Sequence, residues 1–182
     1  MNARDEYAPG AAHGARIEKG GEQWTLILVR ELQHPPGKVW RALTDPAQLR
    51  EWAPFDADGS LGKIGASAKL TTIGAPTPHV TETTVTRADA PKSLVYNWGD
   101  SDMRWELEAT NGGTRLTLWT NIDRRWISMG ATGWHICLDV LDRMLDGAPV
   151  GRIAGPEAMS VPGFQRLHAE YAQHFGVELP KW

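Results

Sequence analysis

The chain predicts an α+β domain in which a curved antiparallel β-sheet wraps around one long helix. Three features of the sequence point there. Apolar and polar residues alternate with period two through the middle of the chain. A single long stretch of helical period follows that region, and tryptophans are spread over almost every predicted element. A long amphipathic helix that follows a sheet with one dry face can bury its stripe only against that face.

The elements follow in order. Met1 to Gly21 carries Asp5, Glu6, Pro9 and several glycines, and reads as a flexible leader over residues 1–21 without an apolar core. Gln23 to Leu32 is a strand, with Thr25, Ile27 and Val29 as its β-favouring residues. Pro36 suits the first turn of a short helix through Val39, Trp40 and Leu43. Asp45-Pro46 caps and opens a second short helix with Leu49 and Trp52 on its apolar side. Phe55 to Lys63 is a polar loop. Five strands follow: Ala66 to Ile73, Val80 to Arg87, Ser93 to Trp98, Met103 to Ala109 and Arg115 to Ile122. Asn111-Gly112-Gly113 marks a hairpin between the last two. Met103, Trp105, Leu107 and Ala109 alternate with Asp102, Arg104, Glu106 and Glu108, which gives one dry and one wet face.

The long helix spans about Ser128 to Asp146, with Ala131, Trp134, Leu138, Leu141 and Leu145 as its stripe. Gly147 is its stop. His135, Asp139, Asp142 and Arg143 fall on the other, wet side. A last helix runs from about Pro162 to Phe175, with Phe164, Leu167, Tyr171 and Phe175 on one side. The expected organisation is a leader (1–21), one domain (22–147) and a C-terminal extension (148–182) whose helix packs on the same domain.

Composition narrows the function classes. At 182 residues the chain buries a sizeable core without staples. The net charge of −3, the pI near 6.1 and the lack of any Lys/Arg run argue against nucleic acid as a partner. Cys137 is the only cysteine, so an intramolecular disulfide and a multi-cysteine zinc site are excluded. The longest strongly apolar run, Leu26 to Val29, is far too short to span a bilayer, and the N-terminus lacks the apolar core of a signal peptide. No membrane association is expected, and the cytoplasm is the expected location. Nine Trp against three Phe and three Tyr is an unusual ratio. Several tryptophans converging on one interior space would suit a pocket for an amphipathic molecule.

Specific residues now bear on the family. Arg30-Glu31-Leu32, His34 to Pro46, Leu49 and Trp52 resemble the N-terminal signature of the START-like (SRPBCC) superfamily, whose fold is the helix grip. Within it, Leu94 to Trp98, Gly112 to Leu116 and Gly133-Trp134 are similar to the group homologous to the activator of heat-shock-protein ATPase. The resemblance covers about Gln23 to Gly176. It implies a cavity between sheet and long helix, in a superfamily that includes lipid carriers, hormone receptors and polyketide cyclases. The eukaryotic activator carries a separate N-terminal domain for which this chain has only its leader.

The expected lining of such a cavity is Trp52, Phe55, Tyr96, Trp98, Trp105, Leu107, Leu118, Trp134 and Leu138. These would desolvate and stack on a small apolar or amphipathic molecule, with Tyr96, Thr120 and indole N–H groups orienting it. Two other classes stay open. One is a cyclase, dehydrase or hydrolase using Tyr96 or His135; the other is a chaperone-ATPase regulator or stress-response protein reading a partner through the outer sheet face. His135 and Asp139 are one helical turn apart, which fits either a solvated pair or an oriented imidazole. Cys137 reads as a buried thiol rather than a nucleophile. Arg124-Arg125 suits a solvated turn or a clamp for a ligand carboxylate. Neither a nucleotide-binding nor a metallopeptidase motif is present, so no cofactor and no metal are expected. The last helix and the exposed sheet face offer surfaces for a homodimer.

Overall fold

The computed structural model describes residues 2–181, so Met1 and Trp182 lie outside the description. Its strands are β1 (Ala15–Gly20), β2 (Gln23–Leu32), β3 (Phe55–Ala57), β4 (Ser67–Thr72), β5 (Val80–Thr84), β6 (Arg87–Asp89), β7 (Ser93–Trp98), β8 (Ser101–Thr110) and β9 (Gly113–Asn121). The helices are α1 (Pro36–Thr44), α2 (Pro46–Trp52), α3 (Ile127–Leu145), the single turn α4 (Pro156–Met159) and α5 (Phe164–Phe175). A six-stranded antiparallel sheet runs in the order β1-β2-β9-β8-β7-β6, and β3-β4-β5 form a second, smaller sheet. Asn97 donates its backbone N–H to Thr83 Oγ1 at 3.0 Å, so the small sheet continues the curl of the large one beside β7.

The helix-grip arrangement is as expected, and local chemistry explains its elements. Asp45 caps α2 through its carboxylate on the Ala47 N–H, with Pro46 in the first turn. The β8–β9 hairpin closes with Thr110 opposite Gly113. A Cβ on Gly113 would lie 2.0 Å from the Leu32 carbonyl, so only glycine lets β9 approach the end of β2. Register places Leu28, Leu118, Trp105 and Leu94 in one inward row, and Leu26, Thr120, Met103 and Tyr96 in the next. α3 packs on these rows.

Two expectations are corrected. The 55–63 segment is not all loop, because Phe55 to Ala57 pair with β4. The 80–87 strand is broken: β5 belongs to the small sheet, and Arg87 already pairs with Val95 in the large one.

The larger correction concerns the expected leader, because residues 2–21 do not form a free segment. Ala15 to Gly20 add an edge strand to β2, closed by a two-residue turn at Gly21-Glu22. Tyr7 is buried in the core and donates its hydroxyl to Asp139 Oδ2 at 2.7 Å. Arg4 bonds the carbonyls of Val150 and Arg152 and pairs with Glu157, while Arg166 on α5 donates to the Pro9 carbonyl. The N-terminal segment is thus a strap over α3, the extension and α5.

Under that strap lies a polar cluster, and it overturns the solvated reading of His135. The ring is 1% exposed, with Nδ1 2.7 Å from the Tyr171 hydroxyl and Nε2 3.4 Å from Asp139. Arg30, also buried, donates to the carbonyls of His13 and Val29. Period alone put His135 on the wet side of α3; α5 and the strap cover that side. Burial would raise the Asp139 carboxyl, but hydrogen bonds with His135 and Tyr7 and the nearby cationic groups hold it below its ordinary value. A carboxyl depressed by folding contributes stability that is full above its unfolded pKa, near 4, and is lost as pH falls through the lower folded value. Asp139→Asn should therefore cost about 1–3 kcal/mol at pH 7 and flatten the loss of stability below about pH 4, as read from urea titrations over a pH series.

Candidate functional site

The aromatic side chains do converge, but most of them fill the space expected to be empty. Ring contacts run edge to face from Trp52 to Trp105 (6.1 Å between centroids), Trp105 to Trp134 (5.8 Å) and Trp134 to Trp98 (6.1 Å). Trp98 then meets Phe55 at 5.2 Å, and Phe55 meets Tyr96 at 6.3 Å. Trp52, Phe55, Tyr96 and Trp105 are each 1% exposed, and Leu107, Leu118 and Leu138 are closed into the same core. Three of the four indole N–H groups have acceptors inside the protein: Trp52 on the Ala42 carbonyl at 2.9 Å, Trp98 on Thr72 Oγ1 at 3.1 Å and Trp105 on the Tyr96 hydroxyl at 3.3 Å.

Tyr96 and Thr120, expected to orient a ligand, are likewise sealed. The Thr120 hydroxyl donates to Met103 Sδ, and burial pushes the Tyr96 phenol far above its ordinary value. Of the nine expected lining residues, Trp98 and Trp134 border an apolar pocket, and Leu107 borders only a polar concavity near Pro91.

The apolar pocket, of about 410 Å³, lies at the outer end of the aromatic chain. Pro54, Trp98 and Ile122 form one wall, and Met129, Gly130, Gly133, Trp134 and Cys137 of α3 form the second. Ala154, Gly155, Pro156, Ala158, Met159 and Phe164 close the third. The third wall is fixed to the body of the protein by Arg152, which pairs with Asp56 at 2.7 Å, and by Arg4 on Glu157. Among the described residues that line the pocket, none is charged.

Gly133 is the informative residue here. It lies in the middle of a 19-residue helix, where glycine costs about 1 kcal/mol relative to alanine. A Cβ built on it meets nothing within 4 Å, so packing does not explain the glycine. Gly130, one turn earlier, is different: a Cβ there would lie 2.5 Å from Ile122 Cδ1. The void beside Gly133 is the space that a larger side chain would occupy.

Two other concavities are polar. One of about 450 Å³ lies between the strap and α5, lined by His13, Glu170, Tyr171 and His174 among others. One of about 670 Å³ near Pro91 carries Arg87, Asp89, Lys92, Glu106 and Glu108. Sites for small molecules are mostly apolar with a few polar groups, which singles out the Trp98–Trp134 pocket.

The remaining expected chemistry is accounted for. Cys137 is buried, its Sγ 3.8 Å from the Ile153 carbonyl, and burial pushes the thiol up to about 12. Arg124 stacks over Trp24 and Arg125 over Trp126, and neither lines the pocket. Among the described residues, His34, Asp142 and Asp146 form the one grouping with metal-ligand reach. Lys38 lies beside it, with its ammonium 3.3 Å from His34 Nδ1 and bonded to the Leu145 carbonyl at the end of α3.

Two tests follow from this geometry. Gly133→Ala should raise the melting temperature by about 2–4 °C, because it restores helix propensity at no steric cost. Iodoacetamide at pH 8 should leave Cys137 unmodified in the folded protein and alkylate it once urea unfolds the chain, as read by intact mass.

Comparison with known proteins agrees with this architecture. Residues 33–146 match the family model described as Activator of Hsp90 ATPase homolog 1-like protein. No curated protein matches the chain. Among solved structures, a conserved protein of unknown function from Enterococcus faecalis is similar at a TM-score of 0.65 and 17% identity, over 88% of this chain and 89% of that one. CalU16 from Micromonospora echinospora has a TM-score of 0.62 at 21% identity, over 93% and 97% of the two chains. A protein from Mesorhizobium loti has a TM-score of 0.58 at 26% identity, over 68% of this chain and 97% of that one. The matched family segment stops at residue 146, before the third wall of the pocket.

Proposed function

The chain belongs to the family of Activator of Hsp90 ATPase homolog 1-like proteins, and from that premise we propose that it binds a small apolar or amphipathic molecule in the Trp98–Trp134 pocket. The observation that carries this reading is Gly133: a helix-weakening residue borders the void, and a Cβ there would meet nothing within 4 Å. The uncharged lining supports it, because burying apolar ligand surface against Trp98, Trp134, Met129 and Phe164 is favourable while a charge there would lose its hydration uncompensated.

The pocket offers little for acid–base chemistry. Tyr96 and His135, the groups on which a catalytic reading would rest, do not line it, and the Cys137 thiol is held protonated. The reading as a chaperone-ATPase regulator would use the outer sheet face, where Arg104 lies 4.4 Å from the Trp119 ring centre and pairs with Glu106. No helix among the described residues is long and apolar enough to cross a membrane.

Native mass spectrometry of freshly purified protein, before and after denaturation, tests the proposal. A discrete extra mass released on denaturation is expected from the wild type and not from Gly133→Leu purified in parallel. Equal retention of that mass by Gly133→Leu would contradict the assignment to this pocket.

A further inference from the structure

The walls of the pocket also bear on the shape of its occupant, in an inference that rests on the ligand-binding reading above. We propose that the molecule bound there is an uncharged planar ring compound carrying one hydrogen-bond acceptor, which takes the indole N–H of Trp134. Three observations carry this assignment.

The first is an N–H without an acceptor. The N–H groups of Trp52, Trp98 and Trp105 all have partners within the fold, whereas no described residue accepts from Trp134. Among the described residues, the sealed polar atoms left unpaired are Arg30 Nε, Thr81 Oγ1 and Ser93 Oγ. Trp134 Nε1 is not among them, so it meets open space, and the open space beside Trp134 is the pocket. An acceptor on the ligand would satisfy it, and a ligand without one would leave it desolvated.

The second is the form of the walls. Trp98 and Trp134 stand at 86° to one another and make a corner of two flat faces. Bare backbone at Gly133 adds further surface from which no side chain protrudes, whereas Gly130 and Gly155 pack against Ile122 and the Ile73 carbonyl. Two flat indole faces beside open glycine backbone suit a flat occupant, and aromatic faces favour offset or edge-on rings.

The third is polarisability without charge. Met129 and Met159 face the same space, and thioether sulfur makes favourable contacts with ring edges. With no charged side chain in the lining, an ionised group on the ligand could sit only outside the mouth.

Isothermal titration with 2-naphthol, its saturated non-planar counterpart decahydro-2-naphthol, and naphthalene tests the proposal. The proteins are the wild type, Trp134→Phe and Gly133→Leu, each shown to be folded by circular dichroism. 2-Naphthol should bind the wild type at least about tenfold more tightly than decahydro-2-naphthol. Trp134→Phe should weaken 2-naphthol by about three- to tenfold and leave naphthalene, which has no acceptor, within about twofold. Gly133→Leu should abolish binding of all three. If decahydro-2-naphthol binds as tightly as 2-naphthol and Gly133→Leu still removes both, the pocket stands and the planar-ring assignment falls. If Trp134→Phe weakens naphthalene as much as 2-naphthol, the role of the N–H falls. Binding that survives Gly133→Leu overturns this inference and the pocket reading together. Absence of 2-naphthol binding at millimolar concentration overturns the ring class alone, because the native-mass measurement judges the pocket independently.

Discussion

The edge-to-face succession of rings from Trp52 through Trp105, Trp134, Trp98 and Phe55 to Tyr96 is the contact on which the rest of this structure depends. It joins α2, β8, α3, β7 and β3, which are elements from both sheets and two helices. Each such ring buries on the order of 150–250 Å², so the succession dominates the core energetically as well as geometrically. Internal hydrogen bonds from Trp52, Trp98 and Trp105 fix the orientation of those indoles. Sheet and helix are therefore held apart at ring width, and the rings fill the space between them. The apolar pocket lies where the succession ends, beside Trp98 and Trp134.

The two terminal segments complete what the central domain begins. Residues 154–164 supply one wall of the pocket, and Arg152 and Arg4 hold that segment in place. On the far side of α3, the strap and α5 close over His135, Asp139 and Arg30 and turn an exposed helix face into a buried polar cluster. Buried charge there is largely compensated: Asp139 accepts from Tyr7, and Arg30 donates to the His13 and Val29 carbonyls, leaving Arg30 Nε unpaired. α3 is accordingly buried on several sides, which a single apolar stripe does not convey.

The fold was legible in the sequence because its signals are local. Asn111-Gly112-Gly113 marks the β8–β9 hairpin, Asp45-Pro46 marks the start of α2, and the alternation from Met103 to Ala109 marks the dry face of β8. The sequence also carries a weak signal for β1, in which Ala15 and Ile17 alternate with Arg16 and Glu18 before Gly20-Gly21. The candidate site was much less legible. Tryptophan number and spacing indicate that rings share an interior, but whether they line a void or fill it depends on how their volumes match across elements distant in sequence. The walls from Ala154 to Phe164 come from a stretch rich in glycine and proline with no periodicity to read. Gly133 could have drawn attention as a glycine inside a helical pattern, since such a position needs a reason.

The central claim is that the ligand space lies at the outer end of the ring succession and not within it. Indole N–H resonances in a two-dimensional ¹H–¹⁵N spectrum report this directly during titration with 2-naphthol. The account predicts that the Trp134 signal moves furthest, Trp98 follows, and Trp52 stays in place because it is sealed behind Trp105. A large shift of Trp52 and Trp105 with Trp134 unmoved would place the ligand between sheet and helix and contradict the account.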